Sequence, residues 1–195
     1  QRTANYSIPA HTAPLTREFK DYVKRSRDPL RELMQSTPNG HPFVIEDRSA
    51  HDLTPDEREA VYEAAWEKGG LQFRATFRDL LVDKAANDTA AEFLKRKIRQ
   101  TVQDPAKAAL LANIDHPFAT KRPPIDSHYF EAYNRPNVSL VDVRSDPIER
   151  ITPTGIQLRS GAEHELDIIV FATGYDAMTG ALLKIDITGR DGLTL

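Results

Sequence analysis

Leu166-Asp-Ile-Ile-Val-Phe-Ala-Thr-Gly-Tyr-Asp176 is the stretch that decides the fold. Its unbroken apolar run, Ile168 to Ala172, predicts a strand that is buried on both faces, as the central strands of a parallel sheet are. Thr173-Gly174 ends the run with a small residue, which lets the backbone closely approach a ligand or another segment. A core strand followed by an ordinary turn glycine fits these residues equally well. The segment therefore predicts an α/β protein, and its function has to be interpreted from the rest of the sequence.

The composition is that of an ordinary globular protein. The chain has 195 residues, 39% of them hydrophobic, and its 26 basic and 29 acidic residues are interspersed and give a net charge of −3. A sequence without a basic region is not expected to bind nucleic acid or a membrane surface. The absence of cysteine excludes disulfides and thiol catalysis. The sequence has no long apolar run and no signal peptide, which favours a cytoplasmic protein.

The two ends and the glycines indicate an internal fragment. The chain begins at Gln1-Arg-Thr3 without an initiator methionine and stops at Leu195, soon after the predicted turn Gly189-Arg-Asp-Gly192. None of its nine glycines forms the G-x-G-x-x-G turn that cradles the phosphates of a dinucleotide. We therefore expect any dinucleotide-binding fingerprint to precede Gln1.

A helical block is predicted between about Thr16 and Asn113. Thr54-Pro-Asp-Glu57 is a capping box with proline at the first helical position, Gly69-Gly70 ends the helix that it begins, and Thr16 and Asp104 mark two further helix starts. A later helix has apolar residues at spacings of three and four, which predicts one buried face: Ala90, Phe93, Leu94, Ile98 and Val102. The basic residues on its other face are predicted to be solvated: Lys95, Arg96, Lys97 and Arg99. The block should contain four or five helices and no strand.

The periodicity changes after His116, where prolines interrupt helix formation. The pattern beyond them predicts one short helix, one strand, a β-hairpin around Thr152-Pro-Thr154 and a last strand. The corresponding ranges are 126–133 for the helix, 138–143 for the first strand, 148–151 and 155–158 for the hairpin, and 166–172 for the last strand. A helical block inserted between strand-rich pieces of an α/β domain is the simplest architecture.

Motifs follow one another along nearly the whole chain in a recognisable order. They are Arg2–Pro9, then Trp66–Gly70, Thr76–Leu80, Ala91–Phe93 and Lys95–Ile98, then Lys121–Pro124, Tyr129–Asn137, Pro147-Ile148 and Thr152–Gly155, and finally Phe171–Asp176, Thr179–Leu182 and Ile185–Arg190. In this order and spacing they resemble the Baeyer–Villiger monooxygenases, flavoproteins that use NADPH. The first motif resembles the end of a strand in the nicotinamide domain, the next four a helical insertion, the following four the second segment of that domain, and the last three the crossing to the flavin domain.

The resemblance implies a fold with two dinucleotide-binding domains, of which this chain holds part. Residues 1–10 would end the first segment of the NADP-binding domain, 11–116 would form the helical insertion, and 117–170 would form the second segment. Residues 171–195 would be the linker and the start of the return to the FAD domain. The rest of the same polypeptide would be the partner of this chain, and the chain alone would be inactive.

The function that the resemblance implies is an FAD- and NADPH-dependent insertion of one oxygen atom of O2 beside a ketone carbonyl, which gives an ester or lactone through a flavin peroxide. Successive intermediates of that reaction are anionic at one place. A guanidinium stays charged there, whereas a desolvated lysine could lose its proton. By resemblance Arg122 is the catalytic residue that stabilises this charge. On sequence alone, Lys121-Arg122 before two prolines would be interpreted as a solvated loop.

The resemblance also assigns the cofactor-binding residues. NADPH carries a dianionic phosphate on its adenosine ribose, and this group needs cationic partners. Arg2, Thr3, Lys121 and Arg122 occupy the positions by which the family binds NADPH. On sequence alone, Arg2 is only a basic residue near the end of the chain.

Other kinds of site are disfavoured. The six histidines include no pair at a spacing of four, so a metal site is not predicted, and the sequence has no G-x-S-x-G motif of a hydrolase. Asp176 is expected to form a turn, and Trp66 is expected to pack in the core. Two functional alternatives stay open: a flavin monooxygenase that oxidises nitrogen or sulfur, and a truncated binding module without catalysis. Neither the identity of the ketone nor the oligomeric state follows from the sequence.

Overall fold

The computed structural model of the chain describes residues 4–37, 40–172, 174 and 179–194. The chain divides into two compact units, Gln1–Asp142 and Val143–Leu195.

The first unit contains the helical block and one short parallel strand pair. Its elements are β1 (Ile8–Pro9), α1 (Arg17–Arg25), α2 (Arg27–Ser36), a 3-10 turn (Ala50–Asp52), α3 (Pro55–Lys68), a second 3-10 turn (Leu71–Ala75), α4 (Lys84–Thr101), α5 (Pro105–Ala112), β2 (Ile125–Asp126) and α6 (Tyr129–Ala132). Strand β1 pairs with β2 in parallel, with Ile8 opposite Ile125. The chain segments on either side of the helical block are therefore neighbours in one sheet.

The predicted helix starts are confirmed. The Thr54 hydroxyl accepts a hydrogen bond from the backbone N–H of Glu57, and the Glu57 carboxylate accepts one from the N–H of Thr54. These hydrogen bonds from Thr54 lower the pKa of Glu57. Thr16 caps α1 and Asp104 caps α5 in the same manner, each through a side-chain oxygen. Local capping chemistry thus sets the helix boundaries.

The core of the first unit forms around α4. All five residues of the predicted apolar face are buried, as the spacing required. An aromatic cluster packs against this face and consists of Tyr62, Phe73, Phe77, Phe93 and Phe118, with Trp66 packing edge-on against Phe93. The Tyr62 hydroxyl lies 2.7 Å from that of Thr89, and burial raises the pKa of Tyr62 to about 12. Burial of these rings stabilises the core of this unit.

The prediction of a fully solvated basic face on α4 was wrong for part of that face. Arg96 is paired with Glu59 and Lys97 with Glu63, so both side chains bridge α4 to α3. The Lys97 ammonium also lies 5.3 Å from the centre of the Phe93 ring. A basic residue at the edge of a contact between two helices can cover apolar surface with its methylene groups while its charged end reaches a carboxylate. The spacing of residues along one helix does not show whether a second helix supplies such a carboxylate.

The end of α3 is joined to β1 by backbone contact. Gly69 adopts φ 67° and ψ −179°, a conformation that is essentially restricted to glycine. A Cβ atom added at Gly69 would lie 2.4 Å from the carbonyl oxygen of Pro9. The Gly70 N–H donates a 2.9 Å hydrogen bond to the same oxygen. The pair Gly69-Gly70 therefore ends the helix, as predicted, and also packs it directly on the first chain segment.

The second unit contains an antiparallel sheet of three strands, β3 (Ile148–Thr152), β4 (Gly155–Leu158) and β5 (Glu163–Glu165), in that order. The β3–β4 hairpin confirms the prediction, whereas β5 was not predicted. The short helix α7 (Gly180–Leu183) and a 3-10 turn (Arg190–Gly192) follow. Thr188 and Thr194 pair across the turn that was predicted at residues 189–192.

Two predicted strands are absent from the part of the chain that the structure describes. Residues 138–143 and 166–172 have no strand pairing, and Ile168, Val170 and Phe171 are 79%, 82% and 70% exposed. A strand needs a neighbouring strand for its N–H and C=O groups, and no described segment pairs with either range along its length. Gly174 has φ 92°, but a Cβ atom added to it would meet no described atom within 4 Å. Thr173 and Asp176 lie outside the described residues.

Candidate functional site

The loop from His116 to Pro124, which carries Lys121 and Arg122, is anchored by a buried asparagine of α4. The Asn87 amide donates hydrogen bonds of 2.9 Å and 3.0 Å to the carbonyl oxygens of Leu80 and Phe118, and its oxygen accepts one of 2.8 Å from the Phe118 N–H. Ala119 then turns the chain with φ 66°. Because Asn87 is buried and fully hydrogen-bonded, it fixes the start of the loop to the core.

The first chain segment holds the loop at both His116 and Arg122. The Asn5 amide donates a 3.3 Å hydrogen bond to the carbonyl oxygen of Arg122, and its side-chain oxygen lies 3.1 Å from Nε2 of His116. The Tyr6 hydroxyl donates a 2.9 Å hydrogen bond to the carbonyl oxygen of His116. Burial, with a smaller effect of the Glu92 carboxylate, raises the pKa of Tyr6 to about 12, so the hydroxyl remains a donor at neutral pH.

These anchors leave the side chains of Lys121 and Arg122 exposed. Neither side chain has a hydrogen bond or ion pair to any residue in the described ranges. Arg122 borders an open cleft of about 380 Å³, which we call the basic cleft and which is lined by His41, Leu71, Arg74, Ala119, Arg122 and Pro123. A guanidinium that borders a cleft, has no partner among the described residues and has an anchored backbone is suited to binding an anion or stabilising developing negative charge.

The predicted site residues differ in whether they line the basic cleft. Arg122 borders the basic cleft, and Lys121 precedes it in the same loop without lining the cleft. Arg2 and Thr3 lie outside the described residues, so their predicted roles stay predictions. The donors that do surround the cleft are basic, which fits the anionic phosphates of a nicotinamide coenzyme.

The supporting residues Asn5, Asn87 and Arg74 were not predicted. Asn87 could have been found, since it lies three residues before Ala90 on the apolar face of α4, where a polar residue indicates a buried hydrogen-bond network. Asn5 and Arg74 lie far from Arg122 in sequence, and no local pattern marks them.

The described ranges contain neither a candidate metal site nor a candidate membrane-spanning helix. Within 4–37, 40–172, 174 and 179–194, no group of three or more His, Cys, Asp or Glu residues could hold a metal ion. None of the helices in those ranges combines the length and apolar character needed to cross a bilayer.

Comparison with known proteins gives whole-chain matches. No protein-family model matches the chain. Three curated relatives match all of it: a Baeyer–Villiger monooxygenase of Pseudooceanicola batsensis at 42% identity, the 2-oxo-Δ3-4,5,5-trimethylcyclopentenylacetyl-CoA monooxygenase of Pseudomonas putida at 40%, and a phenazine N-monooxygenase of Lysobacter antibioticus at 36%. The chain spans about 36% of the length of each of these relatives.

Solved structures agree with the sequence matches. An oxidised steroid monooxygenase bound to NADP superimposes on the whole chain with a TM-score of 0.94 at 48% identity, and the match covers 37% of that protein. The monooxygenase OTEMO in complex with FAD and NADP gives a TM-score of 0.95 at 40% identity, over 36% of its chain. The α/β fold with its helical block is therefore that of a segment of these flavoproteins.

Proposed function

We infer that the chain belongs to the Baeyer–Villiger monooxygenases and is the part of such an enzyme that holds most of its helical insertion and a portion of its NADP-binding domain. The whole-chain similarity to enzymes of this family, at 40% identity or more, is the observation that carries the inference. The activity that we propose for the complete protein is the FAD- and NADPH-dependent conversion of a ketone and O2 into an ester or lactone. A cytoplasmic location remains our prediction.

We assign the chain to domains as the sequence suggested. Residues 1–10 end the first segment of the NADP-binding domain, 11–116 form the helical insertion, 117–170 the second segment, and 171–195 lead to the FAD domain. The parallel pairing of Ile8 with Ile125 supports this division, because it joins the segments on both sides of the insertion in one sheet. The exposed run at residues 168–171 is also consistent with it, since its neighbours would come from the remaining polypeptide.

Arg122 is the residue to which we assign the chemistry. FAD would supply the activation of O2 and NADPH the electrons, and the chain has no G-x-G-x-x-G turn for either, so the rest of the polypeptide must contribute those sites. The Arg122 guanidinium is exposed beside the basic cleft, while its backbone is held by Asn5. In a water-poor site it would stabilise negative charge on the reacting oxygen atoms without giving up a proton.

The test of this function is product analysis with the full-length protein. With bound FAD, NADPH and a cyclic ketone under air, we expect a lactone whose mass exceeds that of the ketone by one oxygen atom, with the label of 18O2 incorporated. NADPH oxidation that gives only hydrogen peroxide with every ketone in a broad panel would contradict the proposal.

A second candidate is the oxidation of nitrogen in a heteroaromatic substrate, which the similarity to a phenazine N-monooxygenase favours. Parallel reactions with a ketone, a sulfide and a phenazine separate the candidates. An N-oxide without any ester would support the second candidate, whereas ester formation with incidental sulfide oxidation would support the first.

Lys121 provides a separate prediction about coenzyme choice. We propose that it binds the ribose phosphate that distinguishes NADPH from NADH, together with Arg2 and, more weakly, Thr3. A charge-assisted contact contributes about 1.5–3 kcal/mol, so Lys121→Ala should raise the KM for NADPH about 10- to 100-fold and change that for NADH much less. The measurement is the ratio of kcat/KM for the two coenzymes, with Lys24→Ala, an exposed lysine of α1, as the matched control. An unchanged ratio would place Lys121 away from this phosphate.

A further inference from the structure

The His116 side chain lies at the start of the loop that carries Arg122, and the proposed function does not use it. Its side chain is 10% exposed, and its ring packs edge-on against the Tyr6 ring with centres 5.5 Å apart. On one side of the imidazole, the Asp115 carboxylate lies 3.3 Å from Nδ1. On the other side, Nε2 lies 3.1 Å from the side-chain oxygen of Asn5. The ring is therefore held in one orientation by three neighbours.

The hydrogen bonds of Asn5 determine which end of its amide faces His116. The amide oxygen accepts a 2.9 Å hydrogen bond from the Tyr6 N–H, and the amide nitrogen donates one of 3.3 Å to the carbonyl oxygen of Arg122. Turning the amide over would set an NH2 group against the Tyr6 N–H and an oxygen against the Arg122 carbonyl, so both hydrogen bonds would be lost. The oxygen therefore faces His116, and because it can only accept, Nε2 is the donor.

These contacts form one chain of hydrogen bonds that ends at Arg122. His116 donates to Asn5, and Asn5 donates to the Arg122 carbonyl. Asn5 is half-buried, whereas the Arg122 side chain is exposed and makes no hydrogen bond or ion pair to any described residue. Among the described residues, the contacts that hold Arg122 are therefore those of its backbone.

We propose that His116 is a positioning residue for Arg122. By donating to Asn5 it keeps the Asn5 amide turned toward the Arg122 carbonyl, and this fixes the point from which the guanidinium acts on developing negative charge. A misplacement of about 1 Å can lower the rate of a reaction about 100-fold, so a residue that never touches the substrate can affect the chemistry. The proposal rests on the proposed function, because it concerns the role of Arg122 in that reaction.

Substitutions at position 116 separate the donor from the rest of the side chain. In the full-length flavoprotein, His116→Leu keeps an apolar group of similar size and should lower kcat for ester formation about 10- to 100-fold. The KM for the ketone should stay within about threefold of the parent value, since His116 does not contact the substrate. His116→Gln places an NH2 group near the position of Nε2 and should restore most of the rate. His116→Asn is too short to reach Asn5 and should not.

Asn5→Asp tests the same chain from its other end. Aspartate keeps an oxygen for His116 but replaces the donor to the Arg122 carbonyl by a second oxygen, so the rate should fall as in His116→Leu. The double variant should be little slower than either single variant, because both substitutions break one chain. His164→Leu, at a half-buried histidine of β5, is the matched control and should keep the parent rate.

Cleavage by trypsin after Lys121 measures the loop without reference to ester formation. The Lys121 side chain is exposed, and cleavage there follows the fraction of molecules in which the loop is open. His116→Leu and Asn5→Asp should be cut about 3- to 10-fold faster than the parent, the factor expected for the loss of one hydrogen bond. His116→Gln should be cut at the parent rate, and cleavage after Lys24 in α1 serves as the internal reference.

The two measurements distinguish failure of the proposal from failure of the proposed function. A parent that forms no ester contradicts the proposed function, and the cleavage rates then still test whether His116 positions the loop. Ester formation by His116→Leu at the parent rate would overturn the proposal, and so would a glutamine variant as slow as the leucine variant. Parent-like cleavage of both His116→Leu and Asn5→Asp would also overturn it. If His116→Leu does not bind FAD, Asn5→Asp decides in its place.

Discussion

Arg122→Ala in the full-length protein is expected to lower the rate of ester formation about 100- to 1,000-fold, the range found when a single stabilising donor is removed from an oxyanion site. The side chain is exposed beside the basic cleft, so its removal leaves no buried group unpaired and the fold should persist. NADPH binding and reduction of the flavin should remain in part, because these steps precede the build-up of the negative charge that we propose Arg122 to stabilise. Stopped-flow absorbance for the reduction and chromatography for the ester measure the two steps separately.

Substitution by lysine tests the geometry of the guanidinium. Arg122→Lys should recover little activity, since a compact ammonium cannot reproduce the planar fork and can lose its proton when desolvated. Arg99→Ala, which removes an exposed arginine elsewhere, should behave as the parent. An alanine variant that still forms ester within about tenfold of the parent rate, a difference of about 1.4 kcal/mol, would show that Arg122 is not the stabilising residue.

Asn87→Ala should destabilise the protein by about 3 kcal/mol or more, because each buried group left without a partner costs about 1–3 kcal/mol. The substitution would strip hydrogen bonds from the Leu80 carbonyl and from both the N–H and the carbonyl of Phe118. The effect should appear as a lower midpoint in urea unfolding, with hydrogen exchange at the Phe118 amide rising before global unfolding.

The matched control for this effect is Gln100→Ala, on the exposed side of the same helix. It removes a side-chain amide without a buried partner and should change the stability by less than about 0.5 kcal/mol. If Asn87→Ala were as stable as this control, the loop that carries Arg122 would have to be anchored mainly by Asn5 and the Phe118 ring.

The helices were predictable because their signals are local. The side chains of Thr16, Thr54 and Asp104 each accept a hydrogen bond from a backbone N–H two or three residues away. The residues that start each helix therefore lie within one turn of one another in the sequence. The buried face of α4 was equally accessible, since it depends only on the period of the helix.

The strands were harder to predict than the helices, because a strand depends on a partner elsewhere in the chain. The apolar run at 168–172 has the composition of a buried strand, but a strand forms only where another segment pairs with it. No such segment lies in the described part of the chain, and Val170 is 82% exposed. The hairpin at 148–158 formed because both of its strands and its turn lie together in sequence. Sequence patterns thus predicted strand pairing only where both partners lie close together along the chain.

The candidate site was predictable only through resemblance. A lysine-arginine pair before two prolines does not indicate catalysis, and the position of Arg122 depends on contacts with Asn5 and Asn87, which are remote in sequence. Arg74 could not be connected to Arg122 before the cleft was seen, because the intervening chain contains a whole helix pair.

The parallel pairing of β1 and β2 also affects how such a protein can diverge. The helical block leaves and re-enters the sheet at adjacent strands, so its two ends stay together whatever lies between them. The entropy of closing a loop rises by only about 0.6 kcal/mol for each doubling of its length, so a longer or shorter block would cost little free energy at the point where it joins the sheet. The contacts that would need to be preserved are those where Gly69-Gly70 meets Pro9 and where Asn87 anchors Phe118. Recombination or laboratory grafting that keeps these contacts could therefore exchange other helices of the block while the two flanking chain segments stay paired.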